Sequence, residues 1–301
     1  MVNANKHILA VGSIAIDTIE TEYNKKTNIL GGSAAYFAVS AATISSVKVV
    51  GVVGNDYPDE GWNLFKHNNI NTENIQVHNG NTFRWGGKYN KDFSSRETLY
   101  TELGVFETFS PKINREDCNA SYVFLGNIQP QLQLDILKQI KSPKLIVIDT
   151  MNLWIDLYPE TLHEVLKLSD VLLINDEEAC QLSGFNNPPK AAVALHKHGP
   201  KVVVIKQGSK GAFLSTQKNT FSVPVYPLDM VVDPTGAGDT FAGGFIGHLA
   251  SVSDNDFLGA TITGAAFASF SVEDFSPNTL HSRIKSDFQY RQSYISKKVI
   301  T

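Results

Sequence analysis

The sequence predicts an α/β protein: a central, mostly parallel sheet flanked by helices as a three-layer sandwich, with a small β-sheet lid. Three observations carry this. Short apolar runs of strand length recur at intervals of about 25 to 35 residues with helical stretches between them, as right-handed βαβ crossovers require. Between residues 74 and 103 that rhythm stops and period-two alternation replaces it. Towards its end the chain turns to two helices built largely from small residues.

His7 to Gly12 (HILAVG) is nearly continuous apolar sequence, as a strand buried on both faces requires. Asp17 then falls just past the C-terminal end of that strand, the edge where ligands collect in parallel sheets; a turn or capping aspartate would look the same. Thr18 to Leu30 reads as a hairpin around Asn24 to Thr27. Gly31-Gly32 leads into a small-residue helix, Ala34 to Ala42, where the glycines either open the backbone to a ligand or simply make a turn. Val47 to Val53 is another buried strand, and Pro58 to Asn69 a helix with Trp62 and Phe65 on one face. Thr82 to Tyr89 and Arg96 to Leu103 alternate apolar and polar residues, the mark of antiparallel strands outside the main sheet. With the hairpin they would form a second sheet covering the ligand edge, although an edge extension of the main sheet fits the same pattern. Arg84, Lys88 and Arg96 read as solvated or structural.

From Ser121 the α/β rhythm resumes, with strands at Tyr122 to Leu125, Lys144 to Ile148, Val171 to Ile174 and Val202 to Ile205. Helices are expected over Gln131 to Ile140, Leu162 to Leu168 and Ala191 to His198. Gly208-Ser209-Lys210-Gly211 turns into Ala212 to Ser215, and Thr220 to Val225 is a further strand. Two small-residue helices follow, near 240 to 251 and 255 to 270, and then a more polar one. No linker or internal repeat interrupts this, so residues 1–301 read as one domain with lid strands inserted at about 15–30 and 81–103.

Composition narrows the function. With 42% hydrophobic and 19% charged residues the chain is an ordinary soluble globular protein. A net charge of -4 leaves no basic footprint for nucleic acid. Cys118 and Cys180 stand far apart in no metal-ligand spacing, as thiols of a reducing cytoplasm do. Met1 to Lys6 lack a signal-peptide layout, and no apolar run has the length of a membrane span, so the expected location is cytoplasmic, away from membranes.

The chemistry concentrates in Val231 to Gly244 (VVDPTGAGDTFAGG). Its glycines allow positive φ and close approach, and N–H groups at the following helix start would cradle an anion. Asp239, on the first turn, would sit beside that anion and take the proton of an attacking hydroxyl, which points to phosphoryl transfer. Acids and amides also stand where other strands stop: Asp17, Asn127, Asp149, and Asn175 with Glu178. Asn175-x-x-Glu178 sets both side chains on one helix face, a spacing that a capping box fits equally well.

The run from Asp233 to Phe241 closely resembles the C-terminal signature of the ribokinase-like (PfkB) carbohydrate kinases, and the resemblance spans nearly the whole chain. Gly31-Gly32 matches the family's N-terminal glycine pair, Asn175-x-x-Glu178 its Asn-x-x-Glu motif, and Gly208-Ser209-x-Gly211 its nucleotide loop. No Gly-x-x-x-x-Gly-Lys-Ser/Thr loop is present. The resemblance implies an ATP-dependent kinase of a sugar or nucleoside hydroxyl. It makes Asp239 the base and the N–H groups of Gly236, Ala237 and Gly238 the anion hole. Asn175 and Glu178 would hold Mg²⁺ and phosphates through water, and Lys206, Gly208, Ser209, Gly211 and Gly238 would bind the nucleotide. Asp17, Gly31, Gly32, Tyr36, Asn127 and Asp239 would meet the acceptor. Asp233 and Thr235 would hold a monovalent cation, K⁺ in many members, with further ligands from Val272 to Ser276.

Ribokinase-type members carry Asn at the positions of Ala15 and Tyr36, and Glu near Asn127. These differences point away from ribose itself. Tyr36, Phe83 and Trp85 would either stack on a base or sugar face, which favours a nucleoside or bulkier polyol, or pack the lid. A dehydrogenase would need Gly-x-Gly-x-x-Gly after the first strand, where the chain has Gly12-Ser13-Ile14-Ala15-Ile16-Asp17. A non-catalytic ligand-binding relative should have lost the base or the cradle, and both are intact. The exposed lid edge also suits pairing of two copies.

Overall fold

The structure, a computed structural model, describes residues 7–22, 24–93, 95–275, 277–280, 283 and 285–301. Met1 to Lys6, read above for targeting signals, lie outside them. The strands are β1 (Ile8–Val11), β2 (Ala15–Glu20), β3 (Lys25–Gly31), β4 (Val47–Gly54), β5 (Asn71–His78), β6 (Phe83–Tyr89), β7 (Arg96–Glu102), β8 (Tyr122–Leu125), β9 (Leu145–Asp149), β10 (Val171–Asn175), β11 (Val202–Lys206), β12 (Ala212–Thr216) and β13 (Thr220–Val223). The helices are α1 (Ser33–Ala42), α2 (Asp59–His67), α3 (Pro130–Leu137), α4 (Asn152–Leu157), α5 (Pro159–Leu168), α6 (Asp176–Ser183), α7 (Pro188–His196), α8 (Ala237–Ser251), α9 (Phe257–Ser271) and α10 (Lys285–Ser296).

Among the described residues, nine strands form one sheet in the order β13-β12-β11-β10-β9-β8-β1-β4-β5. Neighbours from β11 to β5 run parallel, and β12 and β13 turn antiparallel at one edge. The apolar runs have a direct cause. Ile8 and Ala10 face a core shared with Phe37, Phe245 and Phe267 of α1, α8 and α9, whereas Leu9 and Val11 face one shared with Leu134, Leu162 and Leu195 of α3, α5 and α7. Each strand therefore fills two cores, and every buried aliphatic side chain contributes about 1.5–3 kcal/mol. The three layers match the expectation.

The second sheet has the order β3-β2-β6-β7. β2 with β3 and β6 with β7 pair antiparallel as expected, but β2 and β6 pair parallel. No tight turn joins those two strands, because β3, α1, β4, α2 and β5 lie between them in the chain.

Other elements differ from the sequence reading. Asp17, past the end of β1, lies inside β2, opposite Ile29 and Trp85, rather than in a turn or cap. The hairpin turns before Lys25 and not over Asn24 to Thr27. β5 gives no apolar signal because it is the half-exposed edge beside β4. α3 ends at Leu137, α4 was unforeseen, and β13 stops at Val223, before a proline that cannot donate to a ladder. No helix of the described residues is long and apolar enough to cross a membrane. Cys118 and Cys180 are free thiols.

Candidate active site

The C-terminal ends of β9, β10 and β11 deliver Asp149, Asn175 and Lys206 side by side. Asn175 caps α6: its Oδ1 accepts the Glu178 N–H at 2.8 Å, and Glu178 Oε2 accepts the Asn175 N–H at 2.9 Å. The capping box is thus present, and it also fixes a buried acid facing Lys206. Burial, then the nearby Asp149 charge, pushes the Glu178 carboxyl up to about 7, against the pull of Lys206. Lys206 Nζ donates to Asp149 Oδ2 at 2.9 Å. Burial works against its ammonium, yet Asp149, Glu178 and Asp239 together hold its pKa above the ordinary lysine value.

The glycine loop runs into α8 with Gly236 as N-cap at φ 72°, a left-handed conformation that costs other residues about 1–2 kcal/mol. Asp239 lies on the first turn. Burial, then Asp149, pushes its carboxyl up to about 7, opposed by Lys206, its own N–H and Arg96. The Ala237 N–H turns to the Pro234 carbonyl at 3.2 Å. Among the described residues the Gly236 and Gly238 N–H groups take no backbone partner, so the cradle is narrower than the three-donor expectation. A Cβ on Gly238 would stand 3.1 Å from Lys206 Nζ, which places the ammonium on the cradle.

Across the cleft, the glycine pair is built around Asp17. A Cβ on Gly31 would overlap the Asp17 carboxylate, and the neighbouring Gly32 backbone, at φ 93°, favours its charged form. Burial, then Asp233 and Asp239, pushes Asp17 up to about 8, and its Oδ1 has no partner among the described residues. The Tyr36 ring packs on the Gly236 backbone, with its hydroxyl buried and likewise unpartnered. Phe83 instead packs on Phe106, and Asn127 Oδ1 accepts from Trp154 Nε1 at 2.8 Å. Gly208 and Ser209 are exposed in the turn after β11, and Gly211 packs against the Val223 carbonyl.

Asp233 Oδ1 accepts the Thr235 N–H at 2.9 Å, whereas Oδ2 is buried without a partner among the described residues. The Val232 N–H donates to the Val272 carbonyl at 2.8 Å, so segment 272 does meet this loop; Ser276 lies outside the described residues. The Thr235 hydroxyl donates to Tyr89 of β6 at 3.0 Å, which ties the second sheet to the loop.

A model of the pfkB family of carbohydrate kinases matches residues 5–283. The chain belongs to this family. It is a phosphotransferase of the kind that phosphorylates sugars or nucleosides with ATP. A cytidine kinase of Thermococcus kodakarensis is 29% identical over 246 residues, 79% of this kinase and 87% of that protein. A nucleoside kinase of Methanocaldococcus jannaschii is 24% identical over 88% of this kinase and 90% of its own length. The solved fold of a Methanocaldococcus jannaschii nucleoside kinase superposes with a TM-score of 0.77 over 96% of this kinase and 98% of that chain, at 21% identity. An Escherichia coli protein assigned as a ribokinase II, solved with ATP and Mg²⁺, gives 0.80 over 96% and 99% at 19% identity.

Three residues near the kinase's cleft were not assigned from sequence. Asp149 is the first charged neighbour acting on both Glu178 and Asp239. Tyr89 carries the contact to Thr235. Arg96, read as solvated or structural, lies over the Trp85 ring at 4.9 Å, and its charge acts on Tyr89, Asp17, Glu178 and Asp239. Only Asp149 gave a sequence signal, as one of the strand-end acids.

Proposed function

We propose that this kinase moves the γ-phosphate of ATP to a sugar hydroxyl, with Asp239 as base, and that the preferred acceptor is a nucleoside. The carrying observation is Asp239 on the first turn of α8, beside the Gly236–Gly238 cradle and the Lys206 ammonium. A carboxyl pushed up to about 7 is matched to taking a hydroxyl proton near neutral pH. Gly236 and Gly238 would receive the transferred phosphoryl oxygens; the Ala237 N–H would join them on release from Pro234. Asp17, with an unpartnered oxygen, would accept from acceptor hydroxyls between Gly31, Gly32 and Tyr36. Gly208, Ser209 and Gly211 would border the nucleotide, and Asn127 the acceptor side.

The buried acid Glu178 beside the Lys206 ammonium suits a magnesium–phosphate pair, and Asn175 and Glu178 would hold Mg²⁺ through water. When bound, Mg²⁺ supplies charge neutralisation of the phosphates. The orphaned Asp233 Oδ2 suits a monovalent cation, with the Thr235 carbonyl as a further ligand because its hydroxyl is spent on Tyr89. The sheet of β3, β2, β6 and β7 would act as a lid inserted in one kinase domain. Every residue of β7 is exposed, which supports pairing of two lids in a homodimer; a dimeric mass by light scattering is the expected result and a monomer rules it out. The free thiols suit a cytosolic protein.

A nucleoside acceptor is favoured over a free sugar by the Trp85–Arg96 stack on the lid strands and by the names of the two relatives. An ATP-consumption screen over nucleosides, sugars and polyols at fixed Mg²⁺ tests this, and a free sugar turned over faster than every nucleoside refutes the preference. Replacing K⁺ by a bulky inert cation should lower kcat about tenfold or more by loosening the cradle loop. An unchanged rate removes the cation from Asp233 and Thr235.

A further inference from the structure

Asp149 sits oddly for a phosphate-handling site. A carboxylate next to incoming phosphates repels them, so its place calls for a compensating task. It is also held with unusual completeness. Its Oδ1 accepts the Thr150 N–H at 2.9 Å, its Oδ2 accepts from Lys206, and its carbonyl accepts Gln133 Nε2 at 3.1 Å. Gln133 is itself anchored by donating to the Gly126 carbonyl at 2.9 Å. The Asp149 side chain is 7% exposed and that of Lys206 16%. A carboxylate so fully spent on protein donors is a poor metal ligand, and no group of three or more metal-ligating side chains occurs among the described residues.

Lys206, by contrast, has donors to spare. An ammonium carries three N–H bonds, and among the described residues one is used, on Asp149. The remaining side of Nζ faces Gly238, whose Cβ would stand 3.1 Å away. The lysine side chain is long and flexible, and ordering it costs rotamer freedom. A fixed carboxylate on the strand two places over meets that cost before any ligand arrives.

Resting on the kinase reading, we propose that Asp149 is a positioning residue for phosphoryl transfer: it holds the Lys206 ammonium against the Gly236–Gly238 cradle, where the ammonium meets the transferred phosphoryl group. Its role is exerted through Lys206. Asp149 therefore improves transfer only while Lys206 is present.

A double-mutant cycle with Asp149→Asn, Lys206→Gln and the pair tests this in the full-length enzyme. The readouts are kcat with the best acceptor of the screen or with water, affinity for Mg·AMP-PNP by calorimetry, and the thermal midpoint. Lys206→Gln should lower kcat about 100-fold, as loss of a charged transition-state contact does. Asp149→Asn should lower kcat about 10-fold or more while nucleotide affinity moves less than about threefold. The pair should be no slower than Lys206→Gln alone. Losses that multiply in the pair, or an Asp149→Asn enzyme with wild-type kcat, overturn the proposal. So does a kcat loss in Asp149→Asn that disappears when each variant is assayed at the same margin below its own midpoint, since a purely structural ion pair predicts that. A wild type that neither binds Mg·ATP nor phosphorylates any acceptor overturns the kinase reading itself; an active wild type with multiplying losses overturns only the role of Asp149.

Discussion

Replacing Asp239 by asparagine should lower phosphoryl transfer by about three orders of magnitude while Mg·ATP affinity stays within about threefold. Asparagine keeps the shape of the side chain on the first turn of α8 and removes both its charge and its capacity to accept a proton. The pH dependence sharpens the test. Burial and the Asp149 charge push the Asp239 carboxyl up to about 7, so below that pH the base is increasingly protonated. Wild-type kcat/KM should therefore fall about tenfold per pH unit on the acid side. The residual rate of Asp239→Asn should lack that limb, because the titrating group has gone. Near-normal turnover in the variant, or an acid limb that survives in it, would show that another group takes the proton. Glu178 also rises to about 7, and the asparagine variant separates the two: a limb due to Glu178 persists in it.

What the sequence made legible follows from burial. β1, β8, β9, β10 and β11 are covered on both faces, so each is apolar up to its C-terminal residue, and a short run of Val, Ile and Leu announces it. β5 has solvent on one side and a single sheet neighbour, and its sequence, NTENIQVH, carries no such constraint. The glycines told more than the acids. Gly236 and Gly32 occupy positive φ, which few other residues tolerate, so their spacing is written into the chain. Asp17 follows β1 after a short gap and falls within the lid strands expected at about 15–30, but nothing local says which strand it pairs with.

Pairings across strands were the least legible. Asp149 and Lys206 are separated by 57 positions and meet only because β10 lies between their strands. Each reads singly as an ordinary polar strand end. Arg96 belongs to a strand exposed at every position, where a cation normally signals nothing beyond solubility. Its reach to the cleft depends on the parallel pairing of β2 with β6, which the period-two pattern cannot specify.

Gly236→Ala should be strongly damaging although it removes no functional side chain. Two penalties arise at one atom. The left-handed backbone costs a Cβ-bearing residue about 1–2 kcal/mol, and the new methyl would overlap the ring of Tyr36. That ring is 2% exposed in the tightly packed contact between α1 and α8, so it has little room to give, and overpacking adds about 1–3 kcal/mol. A total loss of about 2–5 kcal/mol in unfolding free energy is expected by denaturant titration. Relief by rotating the 236 peptide would turn its N–H away from the cradle. Losing one preorganised donor lowers kcat about 10²–10³-fold, so activity should fall even at temperatures where the variant is fully folded. Tyr36→Leu in the same background separates the causes. It opens space for the methyl, so the overpacking part of the stability loss should return, while the backbone part and the kcat deficit persist. Full recovery of kcat in the double variant would mean that the ring clash, and not the direction of the Gly236 N–H, limits catalysis. A Gly236→Ala enzyme with wild-type midpoint and kcat would remove this N–H from the anion hole altogether.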